Sequence, residues 1–241
     1  MKEEMINFIG TGSAFNTKLG DNSAFIKEEN SLILIDCGGT VFSKLRELNL
    51  LNGIENLYIV ITHTHPDHVG SLGDLIFYSY YILKHKAKVF FPQKAIMESF
   101  LTNVGVSSKQ YEFNNLDFAE INDANFGKVN IKFLPVTHTD TIPTYGFIMN
   151  LNGSAVYYSG DSNNLSSEII DKLKSGEIKT IYHDTCGLDY AGNPHLSIKK
   201  LCKMVPEEFR SKVYCMHLDE NITEKQIMDS GFNIALRIFG S

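Results

Sequence analysis

Between Tyr58 and His68 the chain reads Tyr-Ile-Val-Ile-Thr-His-Thr-His-Pro-Asp-His. A β-branched run enters a stretch where His63, His65, Asp67 and His68 follow one another almost without interruption. Alternate residues of an extended backbone leave on one face, so His63 and His65 share a side. Pro66 cannot join a strand ladder and turns the chain, which lets Asp67 and His68 point back from the next element. Imidazole is the commonest metal ligand, and a carboxylate adds a hard anionic oxygen beside it. As a solvated turn, four such groups would repel or hydrate poorly. Around a cation they satisfy one another, so the stretch predicts a metal centre and locates the function there.

The flanking elements must carry that stretch into a pocket. Residues 57–62 form the strand that feeds it, after strands near 6–9, 23–27 and 32–36 and a helical pattern over 41–48. Downstream, Leu72, Leu75, Ile76, Leu83 and the aromatics Phe77, Tyr78, Tyr80 and Tyr81 make a helix apolar on more than one face. Such a helix either sits deep in the core or offers a second face to a partner, and a homodimer interface is the expectation. His85, between two lysines at its end, reads as a solvated cation. Residues 88–91 suggest a strand, 93–103 a helix, and 105–128 loops with one strand near 116–121.

The second half alternates strands at 129–136, 145–151, 155–159, 178–183 and 213–216 with helices at 165–175 and 197–205. Asn152-Gly153 is a type I′ hairpin signal, and Thr223 suits the N-cap of a last helix. His138, Asp161 and His217 each stand after a strand; taken singly, each could be a capping or turn residue. Strands interleaved with helices suggest two β-sheets sandwiched between helices. The expectation is one α/β (α+β) domain over 1–241, made of two similar halves, about 1–120 and 121–241.

Composition is that of an ordinary globular protein, 43% hydrophobic and 21% charged. A net charge of −6 argues against a broad basic surface for long nucleic acid. No apolar run is long enough to span a membrane, and residues 1–5 lack the apolar region of a signal peptide. Cys37, Cys186, Cys202 and Cys215 form no C-x-x-C pair and read as reduced thiols of a cytoplasmic protein. Gly10-Thr11-Gly12-Ser13-Ala14 lacks the Gly-Lys-Ser/Thr ending of a phosphate loop; it reads as a tight turn needing positive φ or as a ligand contact. Asp36, before Gly38-Gly39, has the place of a loop-ordering carboxylate.

The His-x-His-x-Asp-His run resembles the signature of the metallo-β-lactamase fold superfamily, and the resemblance extends over nearly the whole chain. It implies a four-layer αββα sandwich. It also implies one metal held by His63, His65 and His138, a second by Asp67, His68 and His217, and Asp161 bridging. The ligand types suit two Zn2+ per subunit, with Mn2+ or Fe as substitutes. A carboxylate at the bridge resembles the phosphodiesterase branches and departs from lactamases that place cysteine in the second site. Two such ions hold a hydroxide between them for in-line attack on a phosphodiester, and Asp67 helps to orient it.

The opening Phe-Ile-Gly-Thr-Gly-Ser-Ala is similar to that of the transfer-RNA 3′-processing endonucleases (the ribonuclease Z group), as are Tyr182-His183-Asp184-Thr185 and Asn193-Pro194-His195-Leu196-Ser197. This likeness implies that Asp184 and His195 protonate the leaving group. The chain departs from that group with Asp for its usual Glu and His-Leu-Ser for His-Ser-Thr. His183 is expected to point away from Asp184 and to be structural.

That group grips RNA with an arm inserted between its third-motif histidine and its bridging aspartate. Here the interval from His138 to Asp161 holds one tight hairpin, so the phosphate contacts of a folded RNA are missing. With Gly-Thr-Gly-Ser-Ala-Phe-Asn and His-Thr-His-Pro-Asp-His-Val-Gly-Ser-Leu, the chain resembles the small cyclic-nucleotide phosphodiesterases of this fold. Most of all it resembles the anti-Pycsar family, which degrades 3′,5′-cyclic pyrimidine and purine mononucleotides. The partner implied is a small cyclic nucleotide, not a long nucleic acid or a membrane. Base contacts are expected from Phe15, Asn16, Tyr145 and the 189–194 loop. The rival enzymatic readings are RNA 3′-end cleavage and hydrolysis of a thioester, lactone or phosphonate ester. A non-catalytic sensor would have lost ligands, whereas all seven metal positions are filled.

Overall fold

Ser31-Leu-Ile-Leu-Ile is buried at every position, as a strand covered on both faces must be. The computed structural model describes residues 6–238 and places this strand inside the first of two sheets. The leaderless N-terminus expected at residues 1–5 lies outside the described residues.

The first sheet runs in chain order: β1 (Asn7–Gly10), β2 (Ser23–Glu28), β3 (Ser31–Ile35), β4 (Asn56–Val60), β5 (Ala87–Phe90) and β6 (Tyr111–Asn114). Its pairing is antiparallel from β1 to β3 and parallel from β3 to β6. The second sheet contains β7 (Phe118–Asp123), β8 (Gly127–Pro135), β9 (Tyr145–Leu151), β10 (Ser154–Tyr158), β11 (Thr180–Asp184), β12 (Val213–Met216) and β13 (Asn233–Ile234). It is antiparallel from β7 to β10 and parallel from β10 to β13. The helices are α1 (Val41–Glu47), α2 (Pro66–Val69), α3 (Leu72–Tyr78), α4 (Lys94–Asn103), α5 (Ser167–Ser175), α6 (Ile198–Met204) and α7 (Glu224–Asp229).

Strand periodicity divides the apolar side chains between layers. Val156 and Tyr158 of β10, Tyr182 of β11 and Met216 of β12 join the core shared by the two sheets. Their neighbours Tyr157, Ile181, Val213 and Cys215 face the opposite way, onto Ile169, Leu173, Leu201 and Ile227 of α5, α6 and α7. Phe147 stacks on Tyr158 at 5.2 Å, and Phe8 from the first sheet lies 5.4 Å from Tyr182. Val41, Leu45, Leu72, Leu75, Met97 and Leu101 of α1, α3 and α4 are buried with the first sheet. The four layers αββα follow.

Several expectations need correction. β6 lies within the stretch expected as loop; its four residues carry too little alternation to be read alone and gain a strand from pairing with β5. The apolar helix is broken: α3 passes into a π-helical turn, Ser79–Leu83, which ends at Lys84 in the left-handed region. His85 is not solvated but half-buried, its ring bonded to Ser79 Oγ at 3.2 Å and the Ile54 carbonyl at 3.1 Å. Gly10 and Gly12 do not have positive φ; a Cβ there would collide with the Asp21 and Asn16 carbonyls. Asn152 and Gly153 do have it, φ 51° and 81°, as the hairpin requires. The cysteines are free, with Cys37, Cys186 and Cys215 buried. Among the described residues no helix is long and apolar enough to cross a membrane.

Candidate metal centre

Parallel strands present their C-terminal ends together, and the site is assembled from those ends. After β4 the motif turn is pinned to the end of β3. Asp36, in the left-handed region at φ 59°, accepts from the Thr62 N–H and the Thr62 hydroxyl at 2.8 Å each. Its Oδ2 also lies 2.9 Å from His68 Nδ1. The Cys37 N–H donates to the His68 carbonyl at 2.7 Å, and Gly38 lies so close to the Asp67 carbonyl that no side chain fits. Pro66 opens α2, which carries Asp67 and His68 back toward His63. His63 and His65 belong to the turn rather than the strand, yet their Nε2 and Nδ1 atoms come within 3.0 Å.

The second sheet supplies the rest. His138 follows β8, and Asp161 follows β10 through Gly160, whose backbone abuts Thr62 and Tyr145. His217 follows β12 with φ 53°. Its N–H donates to Asn22 Oδ1 at 3.2 Å, while Asn22 Nδ2 donates to the Tyr158 hydroxyl at 2.8 Å. The seven expected ligands fall into two sets, each with its donor atoms within 4.8 Å of one another, and Asp161 belongs to both.

In the first set, His138 Nε2 lies 3.3 Å from His65 Nδ1, and Asp161 Oδ2 is 3.6 Å from His138 Nε2 and 3.8 Å from His63 Nε2. In the second, His217 Nε2 is 3.3 Å from Asp67 Oδ2, and His68 Nε2 is 3.2 Å from Asp161 Oδ1. His68 Nε2 and Asp161 Oδ1 are buried with no hydrogen-bond partner. Orphaned donors and acceptors of this kind are costly unless a cation satisfies them, so the residues present fit divalent ions in both sets. The remaining ring nitrogens are oriented from behind: His68 by Asp36, His138 by the Pro194 carbonyl at 3.0 Å, and His217 by Asp184 Oδ1 at 3.4 Å.

Electrostatics separate the two sets. Burial, then the neighbouring His68, holds His63 well below the ordinary imidazole value; burial and His138 lower His65. Burial opposes charge on His68 and His217 as well, but there carboxylates outweigh it. Asp161 and Asp36 raise His68, and Asp161 with Asp184 pushes His217 up to about 10. Burial disfavours the Asp67 carboxylate, yet the hydrogen bond from His217 and the nearby His68 ring hold it below the usual carboxylate range.

Asp184 and His195 meet as expected. His195 Nδ1 lies 2.6 Å from Asp184 Oδ2, which also accepts the Ser162 N–H at 3.0 Å. The Asp184 side chain is wholly buried and the His195 side chain one quarter exposed, so only the imidazole reaches the cavity. Burial opposes its charge, but Asp184 raises it above the ordinary value. The shorter carboxylate, Asp for Glu, still makes the contact. His183 is buried and bonds the Asp184 and Asn164 carbonyls at 2.7 and 3.3 Å, away from the metal sets.

Of the expected base contacts, Phe15 and residues of the 189–194 loop line the cavities beside the metal sets. Asn16 also reaches one wall, although its amide is committed to the Leu218 carbonyl at 3.0 Å. Tyr145 does not serve: it is buried between Phe91 and Phe133, and its hydroxyl accepts from Gln93. Sequence reasoning missed Asn22 and the Pro194 carbonyl, and it gave Asp36 a loop role without its histidine. No local pattern marks them, because each acts on a residue far along the chain.

Over residues 5–237 the sequence matches the family described as anti-Pycsar protein Apyc1. The chain belongs to that family. An anti-Pycsar protein Apyc1 from Paenibacillus harenae is 29% identical over 229 residues, covering 92% of each chain. Another, from Bacillus phage BSP38, is 27% identical over 238 residues, covering 91% of this chain and 90% of the other. Among solved structures, the metallo-β-lactamase fold protein YhfI from Bacillus subtilis superposes with a TM-score of 0.73 at 16% identity, over 94% of this chain and 90% of that one. The fold is therefore the metallo-β-lactamase fold. Membership of the anti-Pycsar family, this fold and the histidine–aspartate cluster together support a metal-dependent phosphodiesterase.

Proposed function

We propose that this chain is a dinuclear metal hydrolase that opens 3′,5′-cyclic nucleotides to nucleoside monophosphates, removing cyclic mononucleotides used as immune signals. The observation that carries the reading is Asp161, shared by two nitrogen–oxygen ligand sets and flanked by the Asp184–His195 pair. Zinc, or manganese or iron in its place, would be held by His63, His65 and His138 on one side and by Asp67, His68 and His217 on the other. When bound, such ions neutralise phosphate charge and activate water at neutral pH.

The chain's own residues do the rest. Asp67, held ionised by His217 and His68, accepts a hydrogen bond from the attacking water and orients it. His195 donates its Nδ1–H to Asp184, which fixes the ring and raises its proton affinity above the ordinary imidazole value. Its other nitrogen then delivers a proton to the ribose oxygen as the phosphorus–oxygen bond breaks. A cavity of about 1090 Å³ beside these residues is at the scale of a small-ligand site. The family relatives carry the name anti-Pycsar, which agrees with a cytoplasmic role against a cyclic-nucleotide signal.

Hydrolysis of cyclic AMP, GMP, CMP and UMP by zinc- or manganese-loaded protein, read by product chromatography, tests the reading. Formation of the monophosphates is expected. Silence on all four with two metals confirmed per chain would overturn it, and cleavage of a precursor transfer RNA would put the ribonuclease Z-like reading in its place.

A further inference from the structure

In the Gly10-Thr11-Gly12-Ser13-Ala14 loop the amides of Thr11, Gly12 and Ser13 are spent inside the protein and do not cradle an anion. Thr11 and Gly12 donate to the Leu19 and Gly20 carbonyls at 3.2 and 2.8 Å, and Ser13 donates to the Leu218 carbonyl at 3.1 Å. The Leu218 N–H returns a bond to the Thr11 carbonyl at 2.8 Å, and buried Asn16 adds its side-chain amide to the Leu218 carbonyl at 3.0 Å. Both backbone polar groups of Leu218 are thus held by residues 11–16. One residue earlier, His217 donates its N–H to Asn22 Oδ1 at 3.2 Å. His217 lies in left-handed backbone at φ 53°, which a non-glycine residue keeps only when its surroundings over-determine it. A Cβ at Gly12 would lie 2.5 Å from the Asn16 carbonyl oxygen and 2.8 Å from that of Gly20, so glycine is what lets the loop close this tightly.

The same segment is fastened at its other end to the turn beside Asp67. Asp21 Oδ2 accepts from the Thr40 N–H at 2.8 Å, and the Asp21 N–H donates to the Thr40 hydroxyl at 3.1 Å. Gly38, in that turn, abuts both the Asp67 carbonyl and the Asp21 side chain. Asp67 and His217 face each other, with 3.3 Å between Oδ2 and Nε2. The hydrogen bonds of the His63, His65 and His138 rings run elsewhere, to Thr62, to one another and to the Pro194 carbonyl. We propose that residues 10–22 are a positioning strap for the second ligand set: they hold His217 in its left-handed backbone against Asp67 and leave the first set alone. This rests on the two-ion reading above and not on the identity of the substrate.

Calorimetric titration of chelator-treated protein with Zn2+, with the thermal midpoint of each metal-free variant recorded alongside, tests this. The wild type should take up two equivalents. Asn16→Ala removes one donor to Leu218, and Gly12→Ala forces the loop open; each should weaken one equivalent by roughly 10–100-fold and leave the other unchanged. Thr17→Ala, on the same loop but with its side chain exposed, should alter neither. In a His217→Ala background one equivalent remains, and adding Asn16→Ala should leave it unchanged, which assigns the loss to the second set. If Gly12→Ala fails to fold, Asn16→Ala decides, since it leaves the backbone as it is. Equal weakening of both equivalents, or of neither, in folded Asn16→Ala would overturn the strap. A wild type that takes up a single ion would overturn it together with the two-ion reading. No nucleotide enters the titration, so a failure of the substrate reading leaves its result standing.

Discussion

The two ligand sets share Asp161 but are built on different principles. His63, His65 and His138 meet ring to ring, with His65 and His138 half-buried, and no carboxylate stands behind them in the way Asp36 stands behind His68; burial lowers His63 and His65. His68 and His217 are fully buried, each backed by a second carboxylate. His217 and Asp36 both sit in left-handed backbone, a conformation a non-glycine residue keeps only when its surroundings hold it. In the first set, lowered proton affinity at His63 and His65 favours a cation over a proton. The second carries protons that the cation must displace. Two sites with the same donor types can therefore differ in their response to pH because of what lies behind the ligands.

Removing the shared residue should have the largest effect. Asp161→Ala is expected to lose both metals and turnover by elemental analysis and assay, and a variant that stays active would end the bridging assignment. His195→Ala should lower kcat by about 10²–10⁴-fold with both metals retained. A loss of metal in that variant would instead make His195 a ligand.

Next come the residues in direct contact with the histidines of the second set. Asp36→Asn and Asn22→Ala should weaken one equivalent of metal by roughly 10–100-fold and spare the other. Equal weakening of both equivalents would erase the contrast drawn here. Smaller still is the pH effect. The His217 pKa rises from 6.5 to about 10 in the folded chain, so its charge stabilises the metal-free fold fully below pH 6.5. That contribution is lost as pH rises toward 10. The thermal midpoint of chelator-treated protein should therefore fall across this window, and binding of the second metal should release protons at pH 7 in calorimetry. The smallest expected change concerns assembly. Tyr81 and Ile82 are more than half exposed on the π-helical turn, so Ile82→Asp should shift a homodimer toward monomer in light scattering. A wild type already monomeric would remove the dimer reading.

Much of this was legible from residues alone. The 63–68 turn declares itself because its ligands are neighbours in sequence, and Pro66 fixes where the chain bends. The hairpin at Asn152-Gly153 and the Thr223 N-cap were readable for the same reason, each being completed within a few residues. His138, Asp161 and His217 were ambiguous one at a time; order and resemblance gave them meaning before geometry did. β6 and β13 were not readable, since short strands take their conformation from a partner strand.

By itself, then, the sequence marked the 63–68 cluster as a candidate metal centre, since residue type and spacing point to that chemistry, while the expectations for His138, Asp161, His217 and the Asp184–His195 pair came with the family resemblance. The tertiary structure decided which carboxylate stands behind which histidine, that Tyr145 faces the core, and that Asn22 holds His217 from 195 residues away. The physical reason is that a side chain's charge and orientation depend on what the fold places next to it. For the second ligand set, those neighbours come from the other sheet or from the end of a parallel strand.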